Sequence, residues 1–155
     1  MKTSVYLDTT IFSYYVDERP ELSVHIERTK EWWDKEKDFY DLCISNFVLL
    51  ELKDKKYPNQ EEALSLVSND VKVLEPVKQI DNIVNFYLKN QLMSKNDIRD
   101  ALHLAYASLY EIDILLTWNC SHLANINKKG HIININKRLG LHVPEIITPL
   151  ELRVT

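Results

Sequence analysis

Glycine is almost missing from this sequence: only Gly130 and Gly140 occur in 155 residues. A phosphate-cradling loop of the P-loop or dinucleotide type needs several glycines within a few positions, so most nucleotide-binding α/β families are excluded. Cysteine is equally scarce. Cys43 and Cys120 form no Cys-x-x-Cys pair and fit no metal-ligand spacing, which suits a reducing, cytoplasmic setting. No run approaches the roughly 18 uncharged apolar residues of a membrane helix, and Asp8 interrupts the first apolar run too early for a signal peptide. Surplus positive charge is lacking too. With 19 Lys and Arg against 23 Asp and Glu, the formal net charge is −4, which argues against gripping nucleic acid by bulk charge alone. A local basic patch beside a metal stays open. No repeat, low-complexity run or Pro/Ser linker divides the chain, so the expectation is one domain spanning residues 1–155.

What is present is the composition of a globular chain: 45% hydrophobic and 27% charged residues, enough to close a core without a disulfide or metal staple. Ser4-Val5-Tyr6-Leu7 is a short β-prone run ending at Asp8, with Thr9-Thr10 ready to open a helix. Residues 22–37 carry Leu22, Ile26, Trp32 and Trp33 among charges and predict a helix. Leu42-Cys43-Ile44 is a second strand, and Ser45 or Asn46 caps the helix carrying Phe47 to Glu51. Tyr57-Pro58-Asn59 ends it, and Gln60 to Val67 begins another. Val71 to Leu74 alternates as a third strand closed by Pro76. Residues 77–90 place Ile80, Ile83, Val84, Tyr87 and Leu88 at helical spacing. Ser94 to Asp97 caps a run from Asp100 to Ala107 that is apolar nearly all round, hence a buried central helix. Ile112 to Leu116 reads as the fourth strand and His131-Ile132-Ile133-Asn134-Ile135 as the fifth. Strands alternating with helices predict a three-layer α/β/α sandwich around a mainly parallel sheet of about five strands. Ligands of such sheets sit at the carboxyl ends of the strands, near a topological switch point.

The carboxylates fall where that rule points. Asp8 ends the first strand, Glu51 shares the inward helical face of Phe47 and Val48, Asp100 opens the buried helix, and Asn119 lies just past the fourth strand. Several carboxylates in one pocket repel and are costly to desolvate. A divalent cation relieves both costs, and oxygen ligands favour Mg²⁺ or Mn²⁺ over zinc.

Leu7-Asp8-Thr9-Thr10, the Ser45…Val48…Glu51 helix, Asp100-Ala101-Leu102-His103-Leu104-Ala105 and Leu115-Leu116-Thr117-Trp118-Asn119 resemble, in order and spacing, the four motifs of PIN domains. The stretch from Glu145 to Leu152 is similar to that family's closing segment. The resemblance implies a Mg²⁺- or Mn²⁺-dependent ribonuclease, like the VapC-like toxins of toxin–antitoxin pairs. It implies Asp8, Glu51 and Asp100 as catalytic metal ligands, RNA as substrate, a cognate antitoxin as partner, and a homodimer. One position departs from the pattern. Asn119 stands where many members have a fourth acid; it offers a carbonyl oxygen to the metal but no charge. A subset of the family carries a similar Trp-Asn-x-x-His stretch, matched here by Trp118, Asn119 and His122.

Each residue also has a plainer reading. Asp8 doubles as a helix cap, Glu51 as a boundary residue reaching solvent, and Asp100 as part of the cap begun at Ser94. Asp97, three residues before Asp100, is a reserve acid whose simpler role is in the first turn of the helix. His103 reads as a packing histidine inside an apolar run, and His122 as a residue fixing the Trp118-Asn119 turn. The tryptophans read as packing residues, Trp118 being the one placed to meet a base. Lys95 and Arg99 flank Asp100 and can neutralise phosphates; Lys53, Lys55 and Lys56 form either a solvated helix end or a contact to an RNA backbone. A PIN fold kept as a binding module, with catalysis weak or lost, is the alternative that Asn119 favours. A dehalogenase-like phosphatase using Asp8 as nucleophile is disfavoured, because position 10 is Thr where that chemistry has a second Asp.

Overall fold

Val5, Tyr6 and Leu7 are buried completely, so the first strand must have neighbours on both edges and helices on both faces. In the computed structural model, which describes residues 1–54, 56 and 59–154, that strand, β1 (Thr3–Leu7), is the middle of a five-stranded sheet. Its neighbours are β2 (Tyr40–Ser45) and β4 (Ile114–Leu116), and the edges are β3 (Val71–Leu74) and β5 (Glu145–Ile147). The order is β3-β2-β1-β4-β5 and every pairing is parallel. The expected parallel sheet is present, with its topological switch beside β1.

The helices between the strands are α1 (Thr9–Val16), α2 (Ser23–Lys35), α3 (Asn46–Leu52), α4 (Gln60–Ser65), α5 (Lys78–Lys89), α6 (Ile98–Leu109) and α7 (Ile126–Leu139). The first four pack among themselves, through α1 on α2, α3 and α4, while α5 packs on α6. Right-handed crossovers account for this division: α1 to α4 lie on connections running from β1 out to β3, whereas α5 and α6 lie on the return connection from β3 to β4, which puts the two sets on opposite faces. Ser45 caps α3 by accepting the Val48 N–H at 3.3 Å, as its position after a strand predicts. Of the turn expected at Tyr57-Pro58-Asn59, Tyr57 and Pro58 lie outside the described residues, as does Lys55 of the basic run. Among the described residues, no helix is long and apolar enough to cross a membrane.

One expected strand is a helix. Residues 131–135 lie within α7, and the fifth strand is instead Glu145–Ile147, paired with β4 from Ile114↔Glu145 to Leu116↔Ile147. The alternation in His131-Ile132-Ile133-Asn134-Ile135 is short enough to fit either period. The helix is decided at its ends: Asn125 caps it by accepting the Asn127 N–H, Lys137 and Arg138 occupy the last turn, and Gly140 closes it at φ 70°. Ile132, Ile135 and Asn136 then face inward at i, i+3 and i+4. The Asn136 amide, fully buried, links the Tyr87 hydroxyl of α5 to Ser108 of α6.

Candidate metal centre

Because the strands are parallel, the residues following β1, β2 and β4 emerge on one edge of the sheet. Asp8 follows β1 directly. Its N–H continues the ladder to Leu116 O, and its carboxylate caps α1 by accepting from the Thr10 N–H (2.8 Å) and the Thr10 hydroxyl. The other oxygen accepts the Thr117 hydroxyl at 2.5 Å. Asp8 is only 2% exposed. Burial pushes its carboxyl up to about 6, against the pull of the donors from Thr10 and Thr117.

Thr117, at the end of β4, carries the network onward by accepting the Asn119 N–H at 2.9 Å. The Asn119 amide donates to Asp100 Oδ1 at 2.8 Å, while its carbonyl oxygen accepts the N–H groups of Ser121 and His122 at 3.1 and 3.0 Å. Asn119 therefore stands in the site as a donor to a carboxylate, with its oxygen occupied in the turn. Asp100, in the first turn of α6, also has its carboxyl raised: burial dominates, and the charges of Asp8 and Asp97 add to it. Asn119 and His122 pull the other way.

Glu51, in the last turn of α3, is tied to the same edge by the Thr9 hydroxyl, which donates to Oε1 at 2.5 Å. The exposed guanidinium of Arg99 lies 3.6 Å from Oε2. Lys95 is exposed before α6. A second grouping crosses Asp100: ligand atoms of Asp97, Asp100 and His122 all lie within 4.8 Å of one another, the one such trio of acid, His or Cys groups among the described residues. His122 Nε2 is 3.3 Å from Asp97 Oδ1, and Ser94 donates to Asp97 Oδ2 at 2.7 Å. Trp118 is committed to packing: its indole N–H donates to Thr29, and its ring stacks with those of His25 and Tyr14 at 4.5 and 5.4 Å.

Asp8, Asn119 and Asp100 are thus joined by hydrogen bonds through Thr117, and Glu51 is bonded to the threonine next to Asp8. Thr9, Thr10 and Thr117 stand within the sequence motifs, but from sequence their hydroxyls were given no role in holding the carboxylates, although three hydroxyls adjoining two strand ends are a usable signal. Among the described residues, neither Asp8 nor Asp100 is ion-paired with a lysine or arginine, and both carboxyls are raised. Asp8 and Asp100 are oxygen donors short of positive charge, which suits a hard divalent cation, but Asp8, Glu51 and Asp100 do not form a trio as tight as that of Asp97, Asp100 and His122.

Against proteins of known family, the PIN domain model matches residues 5–120, which takes in all four motif regions. The chain belongs to the PIN domain family. None of the curated proteins matches the sequence significantly. Among solved structures, this PIN domain is similar to a toxin–antitoxin complex from Klebsiella pneumoniae, at 19% identity and TM-score 0.57 over 96% of this chain and 99% of that one. It is also similar to VapC20 of Mycobacterium tuberculosis, a toxin cleaving the sarcin–ricin loop (15% identity, TM-score 0.54, 72% of this chain and 86% of that one). A third is VapBC2 of Rickettsia felis bound to a DNA fragment from its promoter (17%, 0.52, 93% and 98%). At these identities the likeness establishes the shared PIN fold.

Proposed function

We propose that this PIN domain, as one unit over residues 1–155, is a Mg²⁺- or Mn²⁺-dependent endoribonuclease acting as the toxin of a toxin–antitoxin pair. The observation that carries this reading is the under-neutralised acidic edge of the sheet, where buried Asp8 and half-buried Asp100 both resist ionisation. Asp8, Glu51 and Asp100 would hold the cation, with Asp97 and His122 adjoining it. When bound, such a cation polarises a phosphodiester and lowers the pKa of its water.

The chain's own residues supply the rest. Thr10 and Thr117 fix both oxygens of Asp8, so that carboxylate meets its ligand already oriented. Asn119 orients Asp100 in the same way. Arg99, held loosely by Glu51 at the surface, can turn to an RNA phosphate, and exposed Lys95 can meet the next one. Few contacts are needed for this, which reconciles RNA binding with the net negative charge. An antitoxin partner belongs to the same reading, supported by the toxin–antitoxin neighbours; a homodimer and a cytoplasmic setting are added to it on family membership alone.

A second reading keeps the PIN fold as a binding module with weak or lost catalysis. It is favoured by Asn119, which adds no charge to the site and has its carbonyl oxygen engaged by the backbone. Labelled RNA incubated with Mn²⁺, Mg²⁺ or EDTA, beside an Asp8→Asn control, separates the two. Metal-dependent cleavage lost in Asp8→Asn supports the nuclease. Absence of cleavage with either metal, or equal cleavage by the variant, sinks it.

A further inference from the structure

Beneath Glu51 the core holds a string of polar atoms that packing alone does not require. Tyr6 of β1, Ser45 at the end of β2 and His103 of α6 are 0%, 0% and 3% exposed. The Tyr6 hydroxyl lies 2.8 Å from both Ser45 Oγ and His103 Nδ1. Ser45 Oγ in turn accepts the Val48 N–H. On the far side of the imidazole, His103 Nε2 faces Glu51 Oε1 across 3.7 Å. Phe and Leu in place of Tyr6 and His103 would fill similar volumes without any hydrogen bond to satisfy, and a buried polar string is tolerable only when every member is paired.

The partners decide where the protons sit. A lone pair on Nε2 would point at a carboxylate oxygen, so Nε2 carries the proton and Nδ1 is the acceptor. The Tyr6 hydroxyl has one proton for two neighbours, Ser45 Oγ and His103 Nδ1; with Nδ1 the acceptor that proton turns to the imidazole, and the rotatable Ser45 O–H turns to the Tyr6 oxygen. All the protons run one way, from the first turn of α3 through the core to the carboxylate on that helix's last turn.

We infer that His103 is a positioning residue for Glu51: a neutral imidazole, locked as the Nε2–H form by Tyr6 and Ser45, that fixes the Glu51 carboxylate toward a divalent cation. The inference rests on the proposed reading of Glu51 as a cation ligand. A neutral donor suits the task, because it orients a carboxylate without adding a charge that competes with the cation. Arg99, long and exposed, cannot fix the carboxylate in this way. Groups that orient metal ligands from behind typically change metal affinity by about 10–100-fold when removed.

The test is Mn²⁺ titration calorimetry on the whole chain and its His103→Leu, His103→Gln and Tyr6→Phe variants, with ¹⁵N spectra of histidine-labelled protein. His103→Leu is expected to weaken Mn²⁺ binding about tenfold or more. Tyr6→Phe should weaken it less while releasing the Nε2–H form, and His103→Gln, which keeps an N–H donor, should restore most of the affinity. Variants that melt like wild type yet bind Mn²⁺ equally well overturn the inference, as does an Nδ1–H signal for His103 in the unaltered protein. If His103→Leu does not fold, Tyr6→Phe and the ¹⁵N spectra decide alone. Failure of the unaltered protein to take up Mn²⁺ overturns the cation reading itself, a result distinct from normal uptake that the variants leave unchanged.

Discussion

Two clusters of charge, each centred on a buried group, Arg28 or Asp8, are built on opposite plans. On α2, Arg28 is buried with all five of its N–H donors matched. Its guanidinium reaches Glu31, both oxygens of Glu36, and the carbonyls of Pro149 and Leu152, and Glu36 also accepts the Val154 N–H. The hydrogen bond from Arg28 holds the Glu36 carboxyl below its ordinary value. This cluster straps the C-terminal segment to α2. At the sheet edge, Asp8 and Asp100 receive neutral donors only, and their carboxyls rise. One cluster is electrically complete; the other, among the described residues, has no lysine or arginine paired to Asp8 or Asp100. That contrast separates a structural ion network from a site better than burial does, since both centres are buried.

The largest expected effect follows from removing charge at the incomplete cluster. Asp8→Asn and Asp100→Asn should each lower metal-dependent RNA cleavage by at least about a hundredfold. Thermal melts in EDTA should meanwhile show Asp8→Asn at least as stable as wild type, the mark of a residue kept for function. A drop in both cleavage and stability would place Asp8 with the structural cluster and erase the contrast.

Next in size is the complete cluster. Arg28→Ala leaves two carboxylates and two buried carbonyls without their partner, and should destabilise the chain by about 3–5 kcal/mol. Denaturant unfolding measures this. Mn²⁺ affinity of the folded fraction should stay within about twofold of wild type, because no site residue touches Arg28. A large change in affinity would mean that the two clusters are coupled.

The clusters should also titrate with opposite slopes. Glu36, lowered, contributes stability that is present above its unfolded pKa and is lost on acidification. Asp8, raised to about 6, keeps a proton in the folded state that the unfolded chain releases near pH 4. Its contribution therefore falls as pH rises from about 4 to 6 and stays low above that. The stability difference between Asp8→Asn and wild type in EDTA, read from thermal melts, should widen in favour of the variant by about 1–2 kcal/mol from pH 5 to pH 7. Mn²⁺ at neutral pH should close it by stabilising wild type alone. A difference that stays constant with pH would show that Asp8 is ionised and neutralised like Glu36.

How much of this was legible beforehand differs between the clusters. The sheet edge was readable because strand ends mark themselves: Asp8 after a β-prone run, Asp100 at the head of an apolar helix, Thr117 to Asn119 after another strand. Its connections were not, since the Thr117–Asn119–Asp100 chain and the approach of His122 to Asp97 depend on how the turn after β4 folds. The Arg28 cluster was invisible, because its partners lie as far away as Leu152 and no local pattern joins them. The misread strand at 131–135 has the same origin. Five residues fit two periods, and the caps at Asn125 and Gly140 that settle the question lie outside the run.

The smallest expected effect comes from the position where the two plans meet. Asn119 is the neutral donor that orients Asp100, and Asn119→Asp would turn that donor into a second carboxylate. One oxygen could still accept from Ser121 and His122, so the turn should survive. The other would face Asp100 Oδ1, where the amide now sits at 2.8 Å, and one carboxyl of the pair would have to hold a proton or move away. In EDTA at neutral pH, the variant should lose about 1 kcal/mol of stability. With Mn²⁺, the extra charge should tighten binding and enlarge the metal-induced rise in melting temperature. Asn119→Ala, which removes the orienting amide but leaves every charge in place, should weaken Mn²⁺ binding less than Asp8→Asn does. An Asn119→Asp variant identical to wild type with and without metal would mean that the sheet edge is already neutralised. The contrast with Arg28 would then be one of composition, not of charge.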